Sequence, residues 1–439
     1  MLHQGKIIAA LEAKRGRFTE VEETRQEDMD ALSQALETLA ALSLPEIESR
    51  LAHIGWPGAR PTAEQEQHQG VVIPFGESWS NHRQAREWAL GVLRGVPTFA
   101  ADGSQISPAR DISIPVAVVQ VGWFENRHQV GAAYVKDVAV ELLAPDELGE
   151  DEGEESGFPN WQVTWRRFEM EVERLVSYMQ AHAGARPRPL CFFDGSLVVS
   201  FAQHMRPERQ RLYVDAVLRL LDASGKTGVP LVGYVDTSYA NDLTVMLAHL
   251  AGLSLSGRVS DAGLLRPRMR WGDRTQVYVC ARDDEVQNKY YDGVCFVYLK
   301  TTADNPPARV EFPRWLCEEG EQKQVLDLVR AECVVGTGYP YSLETADSVA
   351  VLTMQDRERF YRLFQRFAEQ RSCRCGSRGR GRVRGGGGCS NKERSLCCSA
   401  KSSNPIPTPT MSVRSMAPAK WKLRPPARTT PSLPLCGWG

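Results

Sequence analysis

The chain has 439 residues, 42% of them hydrophobic and 24% charged, a balance that belongs to folded globular proteins and excludes fibrous or wholly disordered ones. Its formal charge of -1 averages two unlike parts, because residues 372–439 hold 13 Lys or Arg and a single acid, leaving 40 basic and 53 acidic residues before them. No apolar run reaches the roughly 18 residues of a membrane-spanning helix, and the N-terminus has no secretory apolar core, so a cytoplasmic protein is expected. An acidic body does not announce a nucleic-acid partner by charge, so any such assignment has to come from a site.

Residues 1 to about 55 carry helical patterning, with Met29, Leu32, Leu36, Leu39 and Leu42 at 3–4 spacing. Such a helix either packs on its own domain or serves a partner or a second copy. A polar loop follows, then a short helix from Ser80 to Leu93. After Pro97 the pattern changes to three successive strands, PTFAADGSQ, IPVAVVQVGWF and QVGAAYVKDVAVELL. An acidic stretch over 146–157 reads as a solvated insertion.

An amphipathic helix comes next, with Phe168, Val172, Leu175, Val176 and Met179 on one face. The buried strand PLCFF ends at Asp194. A helix over 207–223, the strand VPLVGYV, a helix over 238–252, strands at TQVYVCAR, VCFVYLKT and ARVEFP, and closing helices over 319–333 and 343–369 complete the body. Cys191, Cys280, Cys295, Cys317 and Cys333 lie mostly in apolar runs and read as buried small hydrophobes. The tail from Ser372, with six more cysteines and Arg/Gly-rich then Ser/Thr/Pro-rich composition, has no apolar periodicity and reads as disordered. An Arg/Gly nucleic-acid tail and a cysteine metal site are alternatives, but its abrupt loss of acids favours a shifted reading frame.

Three strands, a helix, a fourth strand, a helix and a fifth strand form the order of an RNase H-like α/β fold, a mixed five-stranded sheet flanked by helices. There the first and fourth strands are neighbours, and each carries an Asp-Gly-Ser turn, at Asp102 and Asp194. A single such turn is ordinary loop chemistry. Two of them on adjoining strands bring like charges together, which a hard divalent cation such as Mg2+ or Mn2+ relieves. The natural reaction of such a site is phosphodiester hydrolysis. The dispersed histidines disfavour a zinc hydrolase, and no phosphate-binding Gly-x-x-x-x-Gly-Lys-Ser/Thr loop is present, so ATP hydrolysis is not expected of this chain.

AADGSQ at 100–105, CFFDGSL at 191–197, ARVEFPRWL at 308–316 and GYPYSLETAD at 338–347 resemble the NurA nucleases, over about residues 95–370. The resemblance implies an N-terminal helical region over 1–95, a nuclease domain over 96–371, and a tail outside it. It further implies a Mn2+-favouring homodimer, a 5′–3′ exonuclease and single-strand endonuclease that works in DNA end resection and double-strand break repair with a HerA-type hexameric translocase. Asp102 and Asp194 correspond to the family's two aspartates. The family's helix glutamate is assigned to Glu169 of RRFEMEVERL, with Glu173 in reserve. Tyr339 matches the family tyrosine, but Asp347 stands where the family has histidine, so Asp347 is expected to ligate metal and not to carry a proton. Asp236 is a weaker candidate, and Arg309 with Glu311 reads as an ion pair or a phosphate contact. Two alternatives share this layout: a nuclease of RNase H or PIWI type acting on RNA or hybrids, and a silent module regulating a translocase.

Overall fold

A computed structural model describes residues 2–370 except 69, 110–111, 149–159, 258 and 283–289, with the side chains of residues 160 and 204 also outside the description. The tail from Ser372 and most of the acidic insertion therefore lie outside the described residues. The core strands are β1 (Thr98–Ile106), β2 (Ala117–Asn126), β3 (Val135–Leu143), β4 (Leu190–Asp194) and β5 (Leu231–Val235). They lie in the order β3-β2-β1-β4-β5, with β1 parallel to β4, β4 parallel to β5, and β2 antiparallel to both neighbours. This is the expected RNase H-like arrangement, and it makes β1 and β4 neighbours.

The sheet continues past β5. β6 (Val294–Leu299) and β7 (Ala308–Pro313) pair antiparallel, and β7 lies against β5. Beyond β6 come Tyr278–Ala281 and finally Gly58–Pro61, a strand donated by the N-terminal region. The largely helical 1–95 segment thus also supplies one edge of the sheet.

Period-two alternation divides the core between the two faces of the sheet. Phe99, Ala101, Cys191, Phe193 and Leu231 face one apolar layer, while Ala100, Leu190, Phe192, Val232 and Tyr234 face the other. The first layer is covered by α3 (Asn160–Ala181) and α4 (Pro207–Thr227), through Phe168, Val172, Leu175, Tyr213 and Val217. The second is covered by α6 (Gln322–Val335) and α7 (Tyr341–Ala350), together with α2 (His82–Leu93).

The long helix α1 (Arg15–Ala41) buries Leu32, Leu36 and Leu39 and adjoins α5 (Asp242–Ala251), so its second half packs on its own chain. The single helix expected over 343–369 is two helices. α7 stops at Ala350, and α8 (Met354–Gln370) restarts where Thr353 caps it: Asp356 accepts from Thr353 Oγ1 at 2.6 Å and from Thr353 N at 3.1 Å, and Thr353 Oγ1 accepts from Asp356 N. Reciprocal capping of this kind satisfies helix-end donors and sets a start point that apolar periodicity alone does not reveal. No helix among the described residues is long and apolar enough to cross a membrane.

Candidate active site

The parallel register of β1 and β4 pairs Ala101 with Phe193, so Asp102 and Asp194 are the next residues on the two strands. They fall on the same face as Ala100 and Phe192, toward α7. Asp347, on α7, reaches Asp102 from that side, close enough to raise its carboxyl. Tyr339, in the turn before α7, donates its hydroxyl to Asp194 Oδ1 at 2.9 Å. Asp236, directly after β5, is near enough to Asp194 to repel it. Asp194, Asp236, Tyr339 and Asp347 line one cleft of about 450 Å3 at the ends of the strands.

The three acids of α3 are placed differently, and the expected Glu169 is held by arginines. Glu169 pairs with Arg166 at 2.9 Å and Arg219 at 3.5 Å, and Glu173 also pairs with Arg166. Glu171 is the buried acid of this helix, and both aspartates act on its charge. Its Oε1 accepts from Arg167 Nη1 at 2.8 Å, and the same nitrogen donates to Gly103 O at 3.2 Å. The physical reason is helix phase: residue 171 follows Phe168 by three and precedes Leu175 by four, so it shares their inward face, whereas 169 and 173 turn to the arginines.

The first Asp-Gly-Ser is not the expected turn: residues 102–104 stay paired with Gly122, Val121 and Gln120 inside β1, and only the second, at 194–196, leaves its strand. A Cβ on Gly103 would collide with Glu171 Oε1 and lie 2.6 Å from Arg167 Cγ. Ser104 Oγ accepts from Leu352 N at 3.1 Å, which ties the end of α7 to β1. On β2, a Cβ at Gly122 would come within 2.6–2.9 Å of the backbone of Val349 and Ala350, so glycine there lets α7 lie flat on the sheet and carry Asp347 inward. Ser196, in the second turn, hydrogen-bonds to Glu311 at 2.8 Å. None of these anchoring contacts is visible from the motif alone.

Electrostatics follow from the crowding. Burial, with added repulsion from Asp194 and Asp347, raises the Asp102 carboxyl from 3.8 to about 6 against a backbone hydrogen bond from Gly103. Burial also raises Asp194, opposed by the Tyr339 hydrogen bond and Arg167 and aided by Asp347 and Asp236. Glu171 rises to about 8, mainly through burial, with Arg167 opposing and the two aspartates contributing. The Tyr339 hydroxyl is raised by burial and by its position against Asp194.

Among the described residues no group of three or more His, Cys, Asp or Glu is drawn together into a completed metal cage. The donor chemistry nonetheless suits a hard divalent cation: carboxylates approach from the middle of β1, the end of β4 and helices on either side, dehydrated and mutually repelling. Arg309 and Glu311 are an ion pair, at 2.6 Å and fully enclosed, outside this group of acids.

A family model for the NurA domain matches residues 96–352. Among solved structures, NurA with manganese is 10% identical, covering 62% of this chain and 89% of that one with a TM-score of 0.36. NurA bound to dAMP and manganese is 9% identical, with coverages of 62% and 88% and a TM-score of 0.35. The catalytic domain of human endonuclease V is 14% identical, with coverages of 69% and 92% and a TM-score of 0.29. No curated protein matches the sequence. With more than half of its residues inside the family model, the chain belongs to the NurA family of nucleases.

Proposed function

We propose that this protein hydrolyses DNA phosphodiesters in a divalent-metal-dependent reaction, with Mn2+ as the preferred ion and Mg2+ as a substitute. The observation that carries the proposal is the register that brings Asp102 beside Asp194 with Asp347 against them. Asp102, Asp194, Asp347 and Glu171 are the residues that would hold the metal, with Glu171 replacing Glu169. When bound, the metal offsets the carboxylate repulsion and supplies the Lewis acidity that activates water and stabilises a leaving oxygen.

The chain's own groups do the rest. The Tyr339 hydroxyl fixes one oxygen of Asp194, leaving the other free to face the cleft. Arg167 shares the charge of Glu171 and holds the backbone of Gly103, so the glutamate cannot swing away. Aspartate in place of histidine at 347 adds a hard oxygen donor and removes the side chain best suited to proton transfer near neutrality, so this reading routes no proton through residue 347.

Family membership supports action in end resection and repair beside a HerA-type hexameric translocase, and a homodimer. These are parts of the proposal. The test is cleavage of end-labelled DNA by purified protein with Mn2+, Mg2+ or chelator, alongside RNA and hybrid substrates. Asp102→Ala and Asp194→Ala should abolish metal-dependent cleavage while leaving the circular dichroism spectrum unchanged. Full activity in either variant would refute the site, and preferential cleavage of RNA would refute the substrate.

A further inference from the structure

The Arg-Val-Glu-Phe-Pro segment takes no part in the chemistry above, yet its two charged side chains are almost completely enclosed. Glu311 Oε2 accepts three hydrogen bonds, from Ser196 Oγ at 2.8 Å, Leu197 N at 2.6 Å and Val198 N at 3.3 Å. Its other oxygen accepts from Arg309 Nε at 2.6 Å. Arg309 Nη1 in turn donates to Asp242 Oδ2 at 2.6 Å, and its guanidinium lies 3.9 Å over the Phe296 ring. Asp242 also pairs with Arg282, so the chain alternates two acids and two arginines.

Burying four charges is expensive, and apolar side chains of similar volume would often stabilise a fold as well or better. What this network does that apolar packing cannot is grip three donors of one turn. That turn, 196–198, begins two residues after Asp194. From the other side, Gly195 N donates to Phe193 O at 3.1 Å and to Tyr234 O at 3.2 Å. The backbone that carries the Asp194 carboxylate is thereby held from both directions.

We propose that Glu311 is a positioning residue, which clamps the turn after Asp194 and, through it, sets the aspartate in the geometry that binds a divalent cation. The proposal rests on the reading of Asp102 and Asp194 as metal ligands. Outer partners of ligand residues commonly change metal affinity or activity by about 10- to 100-fold when removed.

Glu311→Gln keeps the shape but forces an NH2 group against either Arg309 or the three donors of the turn. Ser196→Ala removes one of those donors and leaves no buried charge unpaired. The full chain is used, with urea unfolding, hydrogen exchange at the Leu197 and Val198 amides without metal, and Mn2+ affinity by electron paramagnetic resonance. Glu311→Gln should speed exchange at both amides and weaken Mn2+ binding about 10- to 100-fold. Ser196→Ala should move both in the same direction by less, and it decides the matter if Glu311→Gln does not fold. Mn2+ affinity within about twofold of wild type in the deciding variant overturns the positioning role, even if its unfolding midpoint falls. Failure of the wild-type chain to bind Mn2+ overturns the metal-site reading itself, and the positioning role with it.

Discussion

Asp102→Asn should make the metal-free protein more stable while destroying its activity. The Asp102 carboxyl holds its proton up to about 6 in the folded chain but releases it near 3.8 when unfolded. The folded state therefore binds more protons between those values, so stability falls as pH rises through that window. Below pH 4 the penalty is absent, and above pH 6 it is fully present. At about 1.4 kcal/mol for each pKa unit, it amounts to roughly 3 kcal/mol. Asparagine removes the charge at all pH values. Urea unfolding in chelator should show Asp102→Asn more stable than wild type by up to about 3 kcal/mol at pH 7.5, with the gap closing near pH 4. Saturating Mn2+ should raise the wild-type midpoint and leave the variant unmoved, since only the native site binds the ion. A variant no more stable than wild type in chelator at pH 7.5 would refute the claim that unrelieved charge is stored at this site.

Glu171→Gln should lower Mn2+-dependent cleavage by about 100-fold, whereas Glu169→Gln should stay within about twofold; the opposite ranking in a cleavage assay would restore the family-phrase assignment. Gly103→Ala should destabilise the fold by about 1–3 kcal/mol, because the new methyl has to displace Glu171 or Arg167, and should lower activity with it. Paired urea and cleavage measurements check this, and an alanine variant of wild-type stability would show that the helix yields freely. Tyr339→Phe should leave the fold intact and reduce cleavage about tenfold or more, since it removes the donor that orients Asp194. Unchanged cleavage rates would reduce the tyrosine to packing.

Strand order was readable because three strands, a helix and alternating elements leave few topologies, and that order alone predicts the meeting of Asp102 and Asp194. Glu171 was also readable in principle. An acid spaced with Phe168, Val172 and Leu175 lies on the apolar face of an amphipathic helix, and a buried acid is an anomaly that a match to the family's phrasing does not weigh. The anchoring roles of Ser104 and Ser196 were not readable, because Leu352 and Glu311 lie 248 and 115 residues away and only the folded sheet brings them near. The same applies to Gly122, whose purpose is set by a helix that begins at Tyr341. Local pattern carries elements and order, while close approach between distant elements depends on packing that one sequence does not display.

The strand Gly58–Pro61 has a practical consequence for anyone who wishes to isolate the catalytic unit. A fragment begun at residue 96, where the family model starts, would strip the partner from Tyr278–Ala281 and leave its hydrogen-bonding edge bare. It would also remove Glu64, the enclosed counter-ion of Arg274 at 2.7 Å, abandoning a guanidinium in the interior. Raw edges and orphaned charges invite aggregation and loss of cooperativity. The boundary that matters for expression and dissection thus lies upstream of Gly58, well outside the span by which the family is recognised.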